Sequence, residues 1–174
     1  MKNFTMKHIK KNIPAVLLLI VLLFADQITK LLAVFHLKDQ PDFAVIPGVL
    51  EFSYLENTGA AFSSFLGKQG FLIILTLCVM LFIIWKYFKI PEGNRYSPMR
   101  ISFLLLVGGG IGNLIDRIVN RYVVDFIYFV PINFPKFNLA DCYVTIGMIL
   151  LCILCFFHYK DEELDFLFGQ KKEK

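Results

Sequence analysis

Four long apolar segments divide the chain, at about residues 13–35, 70–88, 101–118 and 141–159. Each is close to the roughly 20 residues that an α-helix needs to cross the hydrocarbon core of a bilayer. The composition agrees with membrane spans, because 57% of the 174 residues are hydrophobic and 18% are charged, whereas soluble domains carry about 25% charge. The sequence therefore predicts an all-α polytopic membrane protein, in which four transmembrane helices form one domain, residues 13–159.

The first apolar segment also has features of a cleavable signal peptide. Its uncharged run, residues 13–25, follows a basic stretch and has the length of the apolar region of such a peptide. However, no cleavage pattern of small residues follows it, and Asp26-Gln27-Ile28-Thr29-Lys30 leads into a second apolar stretch. We therefore predict an uncleaved helix with polar residues inside it.

The basic residues predict the orientation of the helices. Most of the 18 lysine and arginine residues lie before the first segment, between the second and third segments, or after the fourth. Because cytoplasmic loops are enriched in these residues, we predict a cytoplasmic basic N-terminus (1–12) and a cytoplasmic tail (160–174). The acidic stretch 161–165 and the lysines after it are typical of a solvated tail. The basic residues are scattered rather than patched, so nucleic acid is not a predicted partner.

The first external connection, residues 36–69, is too long for a simple turn. Within it, Pro47-Gly48 indicates a turn, and the apolar residues Leu50, Phe52 and Tyr54 alternate with Glu51 and Ser53. Alternation with a period of two is typical of a half-buried strand. We therefore predict a small extracytoplasmic β-sheet on this connection.

With this orientation, the strongly polar residues of the spans collect near the outer face of the membrane. Ionisable side chains inside a membrane are costly and mark functional sites by default. Asp26 and Lys30 are four residues apart, so a simple ion pair on one helix face is an equally good interpretation. Asn113, Asp116 and Arg117 also share a helix face, and for Arg117 the alternative is an anchor at the membrane interface.

Neither the glycine run nor the cysteines and histidines predict a cofactor or a metal site. The run 108–112 lacks the Lys-Ser/Thr ending of a phosphate loop, and inside an apolar helix small residues allow close helix packing. The four cysteines lie in or beside apolar segments and lack the spacing of a zinc site. The three histidines, His8, His36 and His158, are scattered along the chain.

Two aspartates form the most informative pair. Asp125 lies among apolar neighbours in Val123-Val124-Asp125-Phe126-Ile127, where an unpaired carboxylate costs several kcal/mol unless it is paired or protonated. Asp141 stands at the start of the fourth segment, where aspartate is a favoured N-cap. If the two meet, they can share one proton and activate water, but their spacing alone does not show that they touch.

Five motifs in order are similar to those of bacterial lipoprotein signal peptidases (signal peptidase II). They are Asp26-Gln27-Ile28-Thr29-Lys30, Glu56-Asn57-Thr58-Gly59-Ala60-Ala61-Phe62-Ser63, Gly112-Asn113-Leu114-Ile115-Asp116-Arg117, Val124-Asp125-Phe126 and Phe137-Asn138-Leu139-Ala140-Asp141. The resemblance extends over about residues 13–159, and it identifies this domain as a membrane peptidase domain.

The resemblance implies an aspartic endopeptidase of the bacterial cytoplasmic membrane, with the active site near the outer face. Asp125 and Asp141 would be the catalytic pair. The substrate would be a prolipoprotein carrying a diacylglyceryl-cysteine, cleaved just before that cysteine, and membrane lipids would be further partners of a monomer. Supporting residues would be Asp26, Lys30, Asn57, Gly59, Asn113, Asp116, Arg117 and Asn138.

Two hypotheses about the site and one rival function follow from the residues. The helix N-terminus favours an ionised Asp141, and apolar neighbours favour a protonated Asp125. Asn57, Asn113 and Asn138 would hold the peptide by hydrogen bonds. The rival is a proton-coupled transporter, which needs polar residues through the whole membrane depth; a scaffold without chemistry leaves the clustered Asn and Asp residues unexplained.

Overall fold

Four long helices form the body of the protein, and the computed structural model describes residues 2–59 and 69–168. The stretches Asn12–Leu37, Gln69–Tyr87, Asn94–Val119 and Leu139–His158 are long and apolar enough to cross a membrane, which confirms the four predicted spans. The long helices are α1 (Lys2–Leu37), α2 (Gln69–Tyr87), α3 (Ser97–Val119) and α4 (Leu139–Ile153). A π-helical turn, Leu154–His158, extends α4, and a short helix α5 (Asp165–Phe168) follows near the end.

A three-stranded antiparallel sheet lies beside the helices. Its strands are β1 (Phe43–Ile46), β2 (Leu50–Asn57) and β3 (Val123–Phe129), in the spatial order β1-β2-β3. The predicted sheet on the first external connection is confirmed for β1 and β2. The prediction placed the whole sheet on the first external connection, and the third strand corrects it, because β3 comes from the connection between α3 and α4. Residues 123–126 are buried, so this strand lacks the apolar–polar alternation that would have revealed it.

Helix α3 lies at the centre of the bundle and is the most buried of the four spans. Its glycines allow close contact with the neighbouring helices. A methyl group at Gly109 would collide with the carbonyl oxygen of Ala140 in α4, and one at Gly112 would lie 2.5 Å from Oδ2 of Asp26 in α1. The packing interpretation of the glycine run is therefore confirmed.

The segment after α4 folds back onto the ends of α2 and α3. Leu164 is 3% exposed and belongs to a buried apolar cluster with Ile90 and Met99. Arg95 donates from Nε and Nη2 to the two carboxylate oxygens of Glu163, at 2.6 and 3.0 Å. The predicted solvation of 161–165 therefore holds for the exposed Asp161 and Glu162, and it is wrong for Leu164, because the apolar cluster buries that side chain.

Replacing Leu164 by alanine is expected to destabilise the protein by about 2–5 kcal/mol, the usual cost of removing most of a buried leucine side chain. Thermal unfolding in detergent micelles measures the effect. The exposed Glu162→Ala is the matched control and should change the unfolding midpoint little. An unchanged midpoint for Leu164→Ala would show that this segment does not contribute to stability.

Candidate active site

Polar side chains from five elements meet at one end of the helix bundle. The site comprises the α1 residues Asp26 and Lys30, the β2 residue Asn57, the α3 residues Asn113, Asp116 and Arg117, the β3 residue Asp125, and Asn138 and Asp141 at the start of α4. Hydrogen bonds, ion pairs or a shared cavity join them, as described below. The structure thus brings together side chains that lie more than a hundred positions apart in the chain.

Asp125 is buried on β3, with 2% of its surface exposed. Its Oδ2 accepts a hydrogen bond from Nδ2 of Asn57 at 2.8 Å, and its Oδ1 accepts one from Nδ2 of Asn138 at 2.7 Å. The pKa of Asp125 is raised to about 6, mainly by burial and also by the nearby charge of Asp141, while the two amide donors act in the opposite direction. Asp125 therefore retains a proton well above the pH at which an exposed aspartate loses it.

Asp141 lies in the first turn of α4. The helix begins at Leu139, so Asn138 is the N-cap and Asp141 occupies the third helical position. Oδ1 of Asn138 accepts from the backbone N–H of Asp141, and Oδ2 of Asp141 accepts from the backbone N–H of Asn138, both at 3.1 Å. The N-cap interpretation of Asp141 is therefore wrong, because the helix starts two residues earlier than predicted; the two residues form a capping box.

The same carboxylate also faces α3. Nδ2 of Asn113 donates to Oδ1 of Asp141 at 2.7 Å. Both oxygens of Asp141 therefore accept a hydrogen bond, Oδ1 from Asn113 and Oδ2 from the backbone N–H of Asn138. This arrangement complements an ionised carboxylate.

Asp125 and Asp141 line one cavity of about 810 Å³. Arg117 also lines it, and its walls include apolar side chains such as Phe134, Phe137 and Ile146; the last belongs to the span α4. A peptide with apolar substituents therefore fits its lining better than a strongly polar ligand does. The spacing of the two aspartates did not establish that they share one site, and the cavity that both of them line does.

The NH₂ groups of the three asparagines donate to the two aspartates, so they position the carboxylates. An amide NH₂ has two N–H donors, and Asn57 and Asn113 also line the cavity, so their predicted hydrogen bonds to a peptide stay a prediction. Arg117 is different. Its buried Nε has no hydrogen-bond partner among the described residues, and its two terminal nitrogens make only long contacts, 3.5 Å to Asn113 O and 3.5 Å to Gly59 O.

A buried network of charges supports this arrangement. Nζ of Lys30 lies 2.9 Å from Oδ2 of Asp26 and 2.9 Å from Oδ2 of Asp116. The local pair of Asp26 and Lys30 therefore exists, and it extends to α3. Oδ1 of Asp26 accepts the backbone N–H of Ala140 at 3.0 Å, which ties α1 to the start of α4.

Gln27 is a further member of this network that sequence reasoning missed. Its Nε2 donates to Oδ1 of Asp116 at 3.0 Å and to Oδ2 of Asp26 at 3.1 Å. The sequence did contain a signal for Gln27, since it is a polar amide inside an apolar span and such a group needs hydrogen-bond partners there.

Gly59 has a local function. It is buried, and its N–H donates to Oδ1 of Asn57 at 2.9 Å, so the NH₂ of Asn57 points towards Asp125. The remaining residues of that motif, 60–63, lie outside the described residues. In the described part of the chain, no group of three or more His, Cys, Asp and Glu side chains is arranged to hold a metal ion.

This chain is similar to known signal peptidases over most of its length. The sequence model of the family described as signal peptidase (SPase) II matches residues 18–157. A protein named lipoprotein signal peptidase from Microcystis aeruginosa (strain NIES-843 / IAM M-2473) is 44% identical over 151 residues, which are 86% of this chain and 96% of that protein. A protein with the same name from Clostridium tetani (strain Massachusetts / E88) is 43% identical over 143 residues, 79% of this chain and 89% of that protein.

Two solved structures are similar to the whole fold. One, described as a bacterial membrane enzyme structure by the in meso method at 2.3 Å resolution, has a TM-score of 0.75 and 31% identity, and the match covers 92% of this chain and 93% of that chain. Another of the same description at 1.9 Å resolution has a TM-score of 0.74 and 32% identity, covering 84% and 94%. The matched residues 18–157 contain every member of the polar cluster described above.

Proposed function

Because this chain belongs to the signal peptidase II family and cleaves signal peptides from prolipoproteins, we propose that it does so as an aspartic endopeptidase with Asp125 and Asp141 as its catalytic pair. The observation that carries the proposal is that both carboxylates line one cavity and that Asn138 contacts both of them. The polar cluster at one end of the bundle also suits a site near one membrane face better than a relay through the membrane.

The proposed chemistry is general acid–base catalysis on a bound water. Ionised Asp141 takes a proton from the water, whose oxygen attacks the scissile carbonyl carbon, while protonated Asp125 donates its proton to the carbonyl oxygen. The intermediate then collapses: the carbon–nitrogen bond breaks, and the leaving nitrogen receives the proton held by Asp141. One hydroxyl of the intermediate returns its proton to Asp125, which forms the new carboxylic acid and restores the pair. The raised pKa of Asp125, about 6, favours this starting division, although the pair titrates as a unit.

The proposed substrate is a prolipoprotein whose cysteine carries a diacylglyceryl group, and the bond cleaved lies just before that cysteine. The cavity is lined both by the carboxylates and by α4 side chains such as Ile146. A site of this kind holds the peptide at the carboxylates while the acyl chains stay in contact with the membrane interior. Membrane lipids are therefore further partners, and one chain supplies all the named site residues, so we propose an active monomer.

The supporting residues divide into two groups in this proposal. Asn57, Asn113 and Asn138 hold the two carboxylates, and Gly59 orients Asn57. Arg117 is proposed to bind the substrate, because a buried guanidinium nitrogen without a partner among the described residues requires an acceptor. The carbonyl oxygens of a bound peptide would provide one. The charged network of Asp26, Lys30 and Asp116 holds the three helices in register.

The test of the proposed function is a cleavage assay on the purified full-length chain. The probe is a synthetic precursor peptide that carries diacylglyceryl-cysteine, and mass spectrometry of the products identifies the bond that is broken. We expect one cut, giving a product that begins with the modified cysteine. Cleavage elsewhere, or no cleavage by a folded preparation, would contradict the proposal.

The proposed topology places both termini in the cytoplasm and the cavity near the outer face. In a variant without native cysteines, Lys38→Cys and Lys136→Cys are expected to react with a membrane-impermeant maleimide added to intact cells. Lys89→Cys, at an exposed position after α2, is the control and should react only after permeabilisation. The reverse pattern would invert the orientation and place the site at the inner face.

A further inference from the structure

Lys30 lies at the centre of the buried network, with 3% of its surface exposed. Its Nζ contacts three acceptors, each at 2.9 Å: Oδ2 of Asp26, Oδ2 of Asp116 and Oδ1 of Asn113. A lysine ammonium has three N–H donors and no acceptor. All of its donors are therefore used, and two of them neutralise carboxylates that would otherwise be buried unpaired.

The third contact determines how the Asn113 amide is oriented. Because the ammonium can only donate, the oxygen of the amide must face Lys30. Nδ2 of Asn138 donates to the same oxygen at 3.1 Å, so both acceptor positions of that oxygen are occupied. A reversed amide would place its NH₂ against two groups that can only donate, and both hydrogen bonds would be lost.

The orientation of Asn113 in turn determines what Asp141 meets. With its oxygen held by Lys30, the Asn113 NH₂ group points to Oδ1 of Asp141 at 2.7 Å. That carboxylate oxygen therefore accepts a hydrogen bond. A reversed Asn113 amide would place its own oxygen against Oδ1 of Asp141, and a hydrogen bond between the two oxygens would require a proton on Asp141. The orientation of one amide thus favours one protonation state of the pair.

We propose that Lys30 is a positioning residue for the cleavage reaction, which acts by fixing the Asn113 amide so that Asp141 is held as the ionised member of the pair. The inference rests on the proposed function, since it assigns Asp141 the part of the proton acceptor. The simpler interpretation is that Lys30 only neutralises Asp26 and Asp116. The two interpretations differ at Asn113, because neutralisation alone gives its orientation no importance.

The charges around this group belong to every element packed against it. Asp26 is on α1, Asp116 and Arg117 are on α3, Asp125 is on β3 and Asp141 is on α4. Replacing Lys30 alone would leave two buried carboxylates with no cation, which is expected to prevent folding. A test therefore has to remove the donor-only group without changing the net charge of Asp26, Lys30 and Asp116 taken together.

The double variant Lys30→Gln/Asp116→Asn meets that requirement, because it removes one positive and one negative charge. A glutamine can present either end of its amide to Asn113, so it no longer dictates the orientation. We expect kcat for the diacylglyceryl precursor peptide to fall at least about tenfold with KM nearly unchanged. Partners that orient a ligand contribute about 10- to 100-fold in the metal sites where such effects are known.

The matched control is Lys38→Gln/Glu56→Gln, which removes an exposed pair with a 2.8 Å separation and should leave kcat unchanged. Thermal unfolding of each variant separates positioning from stability. A double variant at Lys30 and Asp116 with full kcat would overturn the inference. A loss of kcat that comes with a rise in KM and a lowered unfolding midpoint would also overturn the inference, because that pattern indicates that Lys30 has a purely structural role.

A second variant decides the matter if the double variant does not fold. Asn113→Asp keeps an oxygen for Lys30 but offers no donor to Asp141, so kcat should fall at least about tenfold, again on the scale of orienting partners. Full kcat in Asn113→Asp would overturn the inference. The variants Asp125→Asn and Asp141→Asn in the same assay keep the two proposals apart. If they are inactive while the Lys30 and Asn113 variants keep full kcat, the proposed function stands and the positioning by Lys30 is wrong.

Discussion

Replacing either Asp125 or Asp141 by asparagine is expected to lower the cleavage rate by a factor of at least about 10², the scale of general acid–base assistance. Asparagine preserves size and shape but cannot exchange the shared proton. In Asp141→Asn, the side-chain oxygen still accepts the backbone N–H of Asn138, so the capping box at the start of α4 persists. The measurement is single-turnover cleavage of the diacylglyceryl precursor peptide by purified variants.

The double variant should be little slower than either single variant, because two residues that act as a unit have non-additive effects. Glu51→Gln on β2 is the control, since this side chain does not line the cavity, and most activity should remain. Each substitution exchanges one acceptor oxygen for a donor that faces an asparagine NH₂, so the unfolding midpoint of each variant has to be measured beside its rate. Near-normal cleavage by Asp141→Asn would leave Asp141 as a capping residue only.

In that case the second carboxylate would have to be Asp116 or Asp26. The structure makes both poorer candidates, because each lies 2.9 Å from the ammonium of Lys30. Both carboxylates are already held in buried ion pairs with that ammonium, and neither of them lines the cavity that contains Asp125.

A precursor peptide without the diacylglyceryl group is expected to be cut with a kcat/KM at least about 10²-fold lower than that of the modified peptide. Each methylene group moved from water into an apolar environment contributes about 0.8 kcal/mol, so burial of only four such groups contributes about 3 kcal/mol. The acyl chains take no part in bond breaking, so we expect them to bind equally in the ground and transition states. The effect should therefore lie mainly in KM rather than in kcat.

A peptide with one acyl chain is the graded control and should give an intermediate KM. The comparison has to be made at a fixed ratio of detergent to peptide, because the modified peptide also partitions into micelles. Equal kcat/KM values for the modified and unmodified peptides would remove the requirement for a lipidated substrate. They would leave the peptidase assignment intact, since that rests on the carboxylate pair.

The sequence by itself determined the membrane architecture and the identity of the polar residues. A membrane span needs a continuous run of apolar residues, and this is a local property that can be read along the chain. The four spans were therefore predictable, as were the close packing at the glycine run and the unusual cost of Asp125. The five ordered motifs predicted the family for the same reason, since each is a short stretch with a fixed spacing.

Only the tertiary structure decided how these residues are arranged. Strand β3 is buried along residues 123–126, so its pattern carried no alternation to recognise. The start of α4 depended on Asn138 rather than Asp141, because a capping box exchanges two hydrogen bonds between these residues. The docking of Leu164 depended on an apolar cluster built from other helices.

The amide groups show the physical reason most clearly. An asparagine side chain has an acceptor end and a donor end, and the sequence does not indicate which end points where. In this protein, an ammonium on α1 holds the oxygen of Asn113, so its NH₂ faces Asp141 on α4. Donors and acceptors on separate elements decide such orientations, and these elements meet only when the chain has folded.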